Sequence, residues 1–282
     1  MRIYNLDGRL ALGVGAQKAV DVETASRGRF TADVQAVYDR WDEFAGWARD
    51  FEGPPQLTVS EHRLGPPVPR PPQIFGIGLN YREHAAEAGL PLPHQPMVFA
   101  KFPAAVTGPH TSITRPPGSV DFEAELVAVI GARAEQVSAD HAWKHVAGLT
   151  GGQDLSEREL QTTGSTPPQF SLGKSFPGFA PIGPSLVSAD EFPDPDDIGL
   201  GCAINGEPMQ QGRTADMIFS IPRLIEFLSG VVPLLPGDLI FTGTPSGIGW
   251  ARTPPRLLQV GDELVTHVEG IGEMRHHFVA HP

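Results

Sequence analysis

Several side chains of this 282-residue chain have the type and spacing to do chemistry together. The first pair lies in Phe122-Glu123-Ala124-Glu125-Leu126, which reads as a strand running into the β-branched stretch Val127 to Ile130. Strand side chains alternate faces, so Glu123 and Glu125 point the same way, about 7 Å apart along the strand. Two such carboxylates repel unless a positive charge sits between them, and buried charges must be paired or bind a metal. Oxygen donors of this kind suit Mg2+, Mn2+ or Ca2+. A solvated polar face on an antiparallel strand has the same pattern.

A second pair is His84 and Glu87, three residues apart on a short helix expected from Tyr81 to about Ala88 and ended by Gly89. Asn80 is the expected N-cap, with Glu83 as its capping-box partner. A carboxylate beside an imidazole fixes its tautomer and raises its basicity, which is a general-base arrangement. An exposed helical pair without a role has the same spacing. Asp154 follows an expected turn at Gly151-Gly152 and precedes a short helix with a capping box from Ser156 to Glu159. An aspartate there can be a cap or a rigid metal ligand. Arg158 and Gln161 share a face of that helix. Lys101 falls in an expected strand, Val98 to Phe102, and Lys174 lies between aromatics in Phe170 to Phe176.

The elements that must position these groups are short strands and turns. Gly (32) and Pro (29) are dispersed, which favours turns between short strands over disorder. Residues 33–51 follow a helical period, with Val34, Val37, Trp41, Phe44 and Ala48 on one face. The proline-rich run Gly65 to Pro72 then suggests a boundary, giving a small accessory domain over 1–70 and a main domain over 71–282. Ile74 to Leu79 is an expected buried strand. Its glycines lack the third glycine and the acidic residue of a dinucleotide loop. Thr162 to Pro168 reads as a loop, and Asn205-Gly206 as a hairpin turn after the strand at 198–204. Ser220 is expected to cap a helix through Leu228. The run Gly243 to Gly249 lacks a P-loop lysine, but its backbone N–H groups and Thr244 could hold a carboxylate.

The net charge is −12 and there is no basic run, which argues against nucleic acid and anionic membrane as partners. No apolar run reaches spanning length, and Met1 to Leu6 does not resemble a signal peptide. The single cysteine, Cys202, suits a reducing cytoplasm and reads as an inert buried thiol.

Seven stretches, in order, resemble the motifs of the fumarylacetoacetate hydrolase family. They are Gly78 to His84, Asp121 to Leu126, Gly148 through Asp154 to Arg158, Gly173 to Phe176, Asn205 to Glu207, Met217 to Phe219, and Pro236 through Thr242 to Pro245. The likeness is to the short branch of acylpyruvases, oxaloacetate decarboxylases and 2-hydroxyhepta-2,4-diene-1,7-dioate isomerases. Residues 1–70 resemble the family's variable N-terminal domain loosely. The resemblance implies a β-rich α+β fold, a mixed β-sandwich roll with a small N-terminal α+β domain, assembled as a homodimer. It implies a metal, Mg2+ or Mn2+, held by Glu123, Glu125 and Asp154, with Ca2+ able to take its place in a crystal. It implies that His84 and Glu87 activate water on a segment that closes over the site, and that Lys174 is catalytic. Arg82, Lys101, Gln161 and Thr244 would bind a small anionic 2-oxo acid.

The expected reaction is hydrolysis of a carbon–carbon bond, or decarboxylation, in an acylpyruvate, fumarylpyruvate or oxaloacetate through a metal-stabilised enolate. Alternatives are isomerisation of a ring-cleavage dienoate, dehydration or hydrolysis of a 2-oxo-3-deoxy sugar acid, or a scaffold that binds metal or a small acid without turnover. Two positions depart from the family pattern: Gln153 stands where asparagine is usual, and Pro177 where aspartate is frequent.

Overall fold

The structure is a computed structural model that describes residues 1–163 and 168–280. The expected loop Thr162 to Pro168 falls partly on 164–167, outside the described residues. Strands dominate. A 12-stranded sheet runs in the order Leu57–Thr58, Lys18–Asp21, Arg9–Gly15, Arg2–Leu6, Ala180–Val187, Val146–Gln153, Ala124–Ile130, Leu239–Phe241, Ile74–Gly78 and Met97–Ala100, with Leu64–Gly65 and Val106–Thr107 paired off this path. A 5-stranded sheet, Glu207–Arg213, Gly199–Ile204, Glu263–Val268, Gly272–Ala280 and His110–Arg115, packs across its middle strands. Pairings are antiparallel for the most part, with parallel ones at Leu239–Phe241 beside Ile74–Gly78, at Val106–Thr107 beside Ala180–Val187 and at His110–Arg115 beside Gly272–Ala280. This is the β-rich, mixed-sheet architecture expected.

Ala124–Ile130 is buried at every position, as a strand covered on both faces must be. Its neighbour Val146–Gln153 contains Gly151 and Gly152, so these glycines are strand interior and not the expected turn. A Cβ on Gly152 would lie 2.5 Å from Val127 Cγ2 and 2.8 Å from a Phe241 ring carbon. The glycine is there for close approach, which periodicity cannot distinguish from a turn.

The expected helix at 33–51 is a 3-10 turn, Gln35–Arg40, followed by an α-helix, Trp41–Arg49. Val34, Val37, Trp41 and Phe44 are buried together as expected, in the same core cluster as Val127, Ile182 and Phe241. Arg2–Leu6 pairs with Ala180–Val187, so residues on both sides of position 70 share one sheet and one core. The division into 1–70 and 71–282 stays a proposal about the chain. The hairpin at Asn205-Gly206 and the helix Ile221–Ser229 are as expected, although the Ser220 side chain makes no cap bond. Among the described residues, no helix is long and apolar enough to cross a membrane.

Candidate active site

Glu123, Glu125 and Asp154 converge, with one oxygen from each lying within 4.8 Å of the others. They are 6%, 1% and 1% exposed, which removes the solvated-face reading of the two glutamates. Local backbone bonds set this geometry. The Glu123 N–H donates to Gln153 Oε1 at 2.9 Å, and the Asp154 N–H donates to the Glu123 carbonyl at 2.9 Å. The Gln153 amide also donates to Thr266 Oγ1 at 2.9 Å, so this departure from the family pattern ties Glu123 to the second sheet. Glu125 Oε2 accepts the Gly243 N–H at 2.8 Å.

Buried cations surround the triad. Lys174 Nζ contacts Glu123 Oε2 at 2.8 Å and also reaches Asp154. Lys101 Nζ bonds Asp154 and the Lys174 carbonyl. The Arg158 guanidinium bridges Asp121 and Glu123 at 2.6 and 2.7 Å. Burial would raise the Glu123 carboxyl, but Lys174 and Arg158 outweigh it and hold it at about 2. Burial, together with the charges of Asp154 and Glu123, pushes Glu125 well above the usual carboxylate range. Burial lowers Lys101, whereas for Lys174 the pull of Asp154 and Glu123 overcomes burial and raises it. Asp121 joins the triad to make four buried carboxylates against three buried cations, Lys101, Lys174 and Arg158. The deficit of positive charge and three convergent hard oxygens fit a divalent cation.

Of the triad, Glu123 reaches a cavity of about 240 Å3, which Arg158, Gln161, Lys174 and Thr244 also line, while Glu125 and Asp154 lie beside Glu123 behind that surface. His84 lines it as well, with Nδ1 3.1 Å from Glu87 Oε2. Glu87 Oε1 accepts the Gly247 N–H at 3.0 Å, so the carboxylate that orients His84 is itself fixed. The carrying helix is Arg82–Glu87, and Asn80 does not cap it. Its amide instead donates to the carbonyls of Phe219 and Thr242, because that side chain is buried beneath the helix start. Glu83 accepts from Ser246 and not from Asn80. The expected Ser156 cap is likewise taken by Glu157, whose carboxylate accepts the Glu159 and Leu160 N–H groups.

Sequence reasoning places Arg82 at the substrate, yet Arg82 is exposed on the first turn of its helix and does not line the cavity. Arg158 is the guanidinium that does. Lys101 is buried behind Asp154, and its amine is used by that carboxylate. The Gln161 carbonyl accepts from Arg158 at 3.0 Å, and among the described residues no acceptor takes its N–H groups, which can meet a ligand. The Thr244 hydroxyl donates to the Ala124 carbonyl and accepts from Gln210. Asp121 was missed although period 2 extends back to it from Glu123. Its carboxylate accepts the Gly249 and Trp250 N–H groups as well as Arg158. The glycine-rich loop thus does hold carboxylates, but they are the protein's own: Glu125, Glu87 and Asp121.

Comparison with known proteins gives a consistent picture. The fumarylacetoacetate (FAA) hydrolase C-terminal family matches residues 73–279. The mitochondrial oxaloacetate tautomerase FAHD2A of Bos taurus is 43% identical over 220 residues, covering 77% of this chain and 70% of that protein. An HpcE-type protein of Mycobacterium smegmatis superposes with a TM-score of 0.94 at 50% identity, covering 100% of both chains. The fumarylpyruvate hydrolase of Pseudomonas aeruginosa, solved with Mn2+ and pyruvate, has a TM-score of 0.68 at 30% identity, covering 74% of this chain and 90% of that one. With that coverage and a buried acidic triad in the same chain, the protein belongs to the fumarylacetoacetate hydrolase family of enzymes.

Proposed function

We propose that the chain is a divalent-metal-dependent enzyme that cleaves a carbon–carbon bond of a small 2-oxo acid. The carrying observation is that one cavity is lined both by Glu123, a member of the buried triad, and by His84, which Glu87 holds. Mg2+ or Mn2+ held by Glu123, Glu125 and Asp154 would supply Lewis acidity toward the 2-oxo acid and charge stabilisation for an enolate. The Mn2+ and pyruvate in the Pseudomonas aeruginosa relative support that assignment.

The chain's own groups do the rest. With Nδ1–H donated to Glu87, His84 presents the Nε2 lone pair to a water in the cavity. His84 takes a proton, and the water oxygen bonds the carbonyl two carbons beyond the 2-oxo group. The bond between that carbonyl carbon and the adjoining CH2 carbon breaks, its electron pair stays with the 2-oxo fragment as an enolate, and His84 returns the proton. Acylpyruvate and water thereby give pyruvate and a carboxylic acid. The Gln161 N–H groups, Lys174 and Arg158 are placed to stabilise developing oxyanion charge. Decarboxylation would use the same floor without the attacking water.

A second reading, proton transfer alone in a tautomerase or isomerase, is supported by the likeness to the bovine oxaloacetate tautomerase. The test is product analysis with acetylpyruvate, fumarylpyruvate and oxaloacetate, with and without chelator. His84→Ala is expected to lower hydrolysis by at least about a hundredfold while sparing decarboxylation. Equal loss of both activities, or metal-independent turnover, overturns the assignment. A cytoplasmic homodimer is part of the proposal, and light scattering at twice the 30.2 kDa chain mass would establish the dimer.

A further inference from the structure

The cavity changes character from floor to mouth. Of its polar lining residues, Glu123, Arg158, Gln161, Lys174 and Thr244 are buried, His84 is half-buried and Thr162 is exposed. Its outer wall is apolar, formed by Leu79, Leu90, Met97, Phe99, Ile248 and Trp250. Leu90, Met97 and Trp250 are 54%, 43% and 50% exposed, so they stand at the opening.

One side of this wall is built into the sheet. Gly76 pairs with Phe99 and Gly78 with Met97 across the two neighbouring strands. A Cβ on either glycine would overlap the side chain opposite it. The glycines therefore leave room for Phe99 and Met97 to lie across the strand as a flat apolar surface. Phe99 continues to Phe170 at 5.9 Å between ring centroids, and its ring lies 4.9 Å from Lys174 Nζ. Among the described residues, the lysines and arginines lining the cavity are Arg158 and Lys174, and both are already paired with carboxylates.

Resting on the function proposed above, we infer that the distal end of the substrate is an uncharged, apolar acyl chain and not a second carboxylate. A distal carboxylate would leave water for a wall that, among the described residues, carries no lysine or arginine, with the cavity's imidazole, His84, held by Glu87, at a cost that an alkyl or aryl tail does not incur. Each methylene buried against the wall is worth about a fourfold gain in affinity.

The Mn2+-loaded protein is assayed with acetyl-, butanoyl-, hexanoyl- and benzoylpyruvate, and with succinyl- and fumarylpyruvate as charged counterparts. The expected result is a kcat/KM that rises about fourfold per methylene until the wall is covered. Neutral tails should exceed charged tails of matched length by at least about tenfold. A preference for the charged tails, or no dependence on tail length, overturns the inference and leaves the proposed chemistry standing.

Calorimetric titration with unreactive 2-oxoalkanoates and 2-oxodicarboxylates separates the two ideas. Tighter binding of the longer 2-oxoalkanoates without turnover of any acylpyruvate supports the apolar subsite and overturns the proposed reaction. Equal or tighter binding of the dicarboxylates overturns the subsite. Met97→Arg, which places a cation at the mouth, should shift the neutral-to-charged ratio at least about tenfold toward the charged tails. An unchanged ratio in a folded variant overturns the wall's role.

Discussion

Glu123 keeps its charge because Lys174 and Arg158 touch it, whereas Glu125 leans on one backbone N–H and faces the charges of Asp154 and Glu123. The two glutamates should therefore respond oppositely to neutralisation. Glu125→Gln keeps an acceptor for Gly243 and removes a carboxyl whose ionised form burial and its neighbours disfavour, so the metal-free protein should gain about 1 kcal/mol or more. Glu123→Gln leaves two buried cations short of a partner and should cost about 3 kcal/mol. Both should weaken Mn2+ binding by at least about a hundredfold. Denaturant unfolding and calorimetric titration read the two effects separately, and a shift of the same sign in both metal-free variants would refute the charge assignment. The glutamate pair was legible because strand alternation is local. Arg158 was not legible as the site's guanidinium, since a linear motif holds Arg82 and Arg158 equally and only the fold buries one of them.

At the scale of elements, the glycine-rich loop after Leu239–Phe241 decides whether the carboxylates stay in place. Gly243 has φ +99°, and a Cβ there would lie 2.7 Å from Asn80 Cβ. Gly243→Ala should cost about 2 kcal/mol or more and weaken Mn2+ binding, because the N–H that fixes Glu125 must move. Gly261 has a similar φ of +92° with no neighbouring atom within 4 Å, so Gly261→Ala should carry backbone strain alone and leave Mn2+ affinity intact. Thermal unfolding and metal titration of both variants check this. Strands and the Asn205-Gly206 hairpin could be read from local chemistry. Caps could not: Asn80 and Ser156 have capping types, but tertiary partners at Phe219 and Thr242 claim one, and Glu157 replaces the other.

At the scale of the whole molecule, the two sheets meet over a buried histidine. His276 lies on Gly272–Ala280 between Leu264 and Thr111 of the flanking strands, fully buried, with Nε2 3.1 Å from the Gly108 carbonyl. Burial, with His110 and His277 nearby, holds it near 4, below its ordinary 6.5. Between these values the unfolded chain binds the proton and the folded chain does not. Stability from this group is thus complete above pH 6.5 and lost as pH falls through about 4. His276→Gln should flatten that acid slope, worth on the order of 3 kcal/mol in total, as measured by urea unfolding at several pH values. The sheet-to-sheet register behind this burial involves residues far apart in sequence, so no local pattern announced it.

The loop from Gly243 to Trp250 holds Glu125, Glu87 and Asp121 through main-chain N–H groups. Main-chain donors are common to every residue type except proline. The side chains of Ile248 and Trp250, which face the cavity, can therefore be exchanged without surrendering the donors beneath them. Holding and selecting are divided between backbone and side chain, so one scaffold can drift toward new substrates while its ionic floor stays inherited.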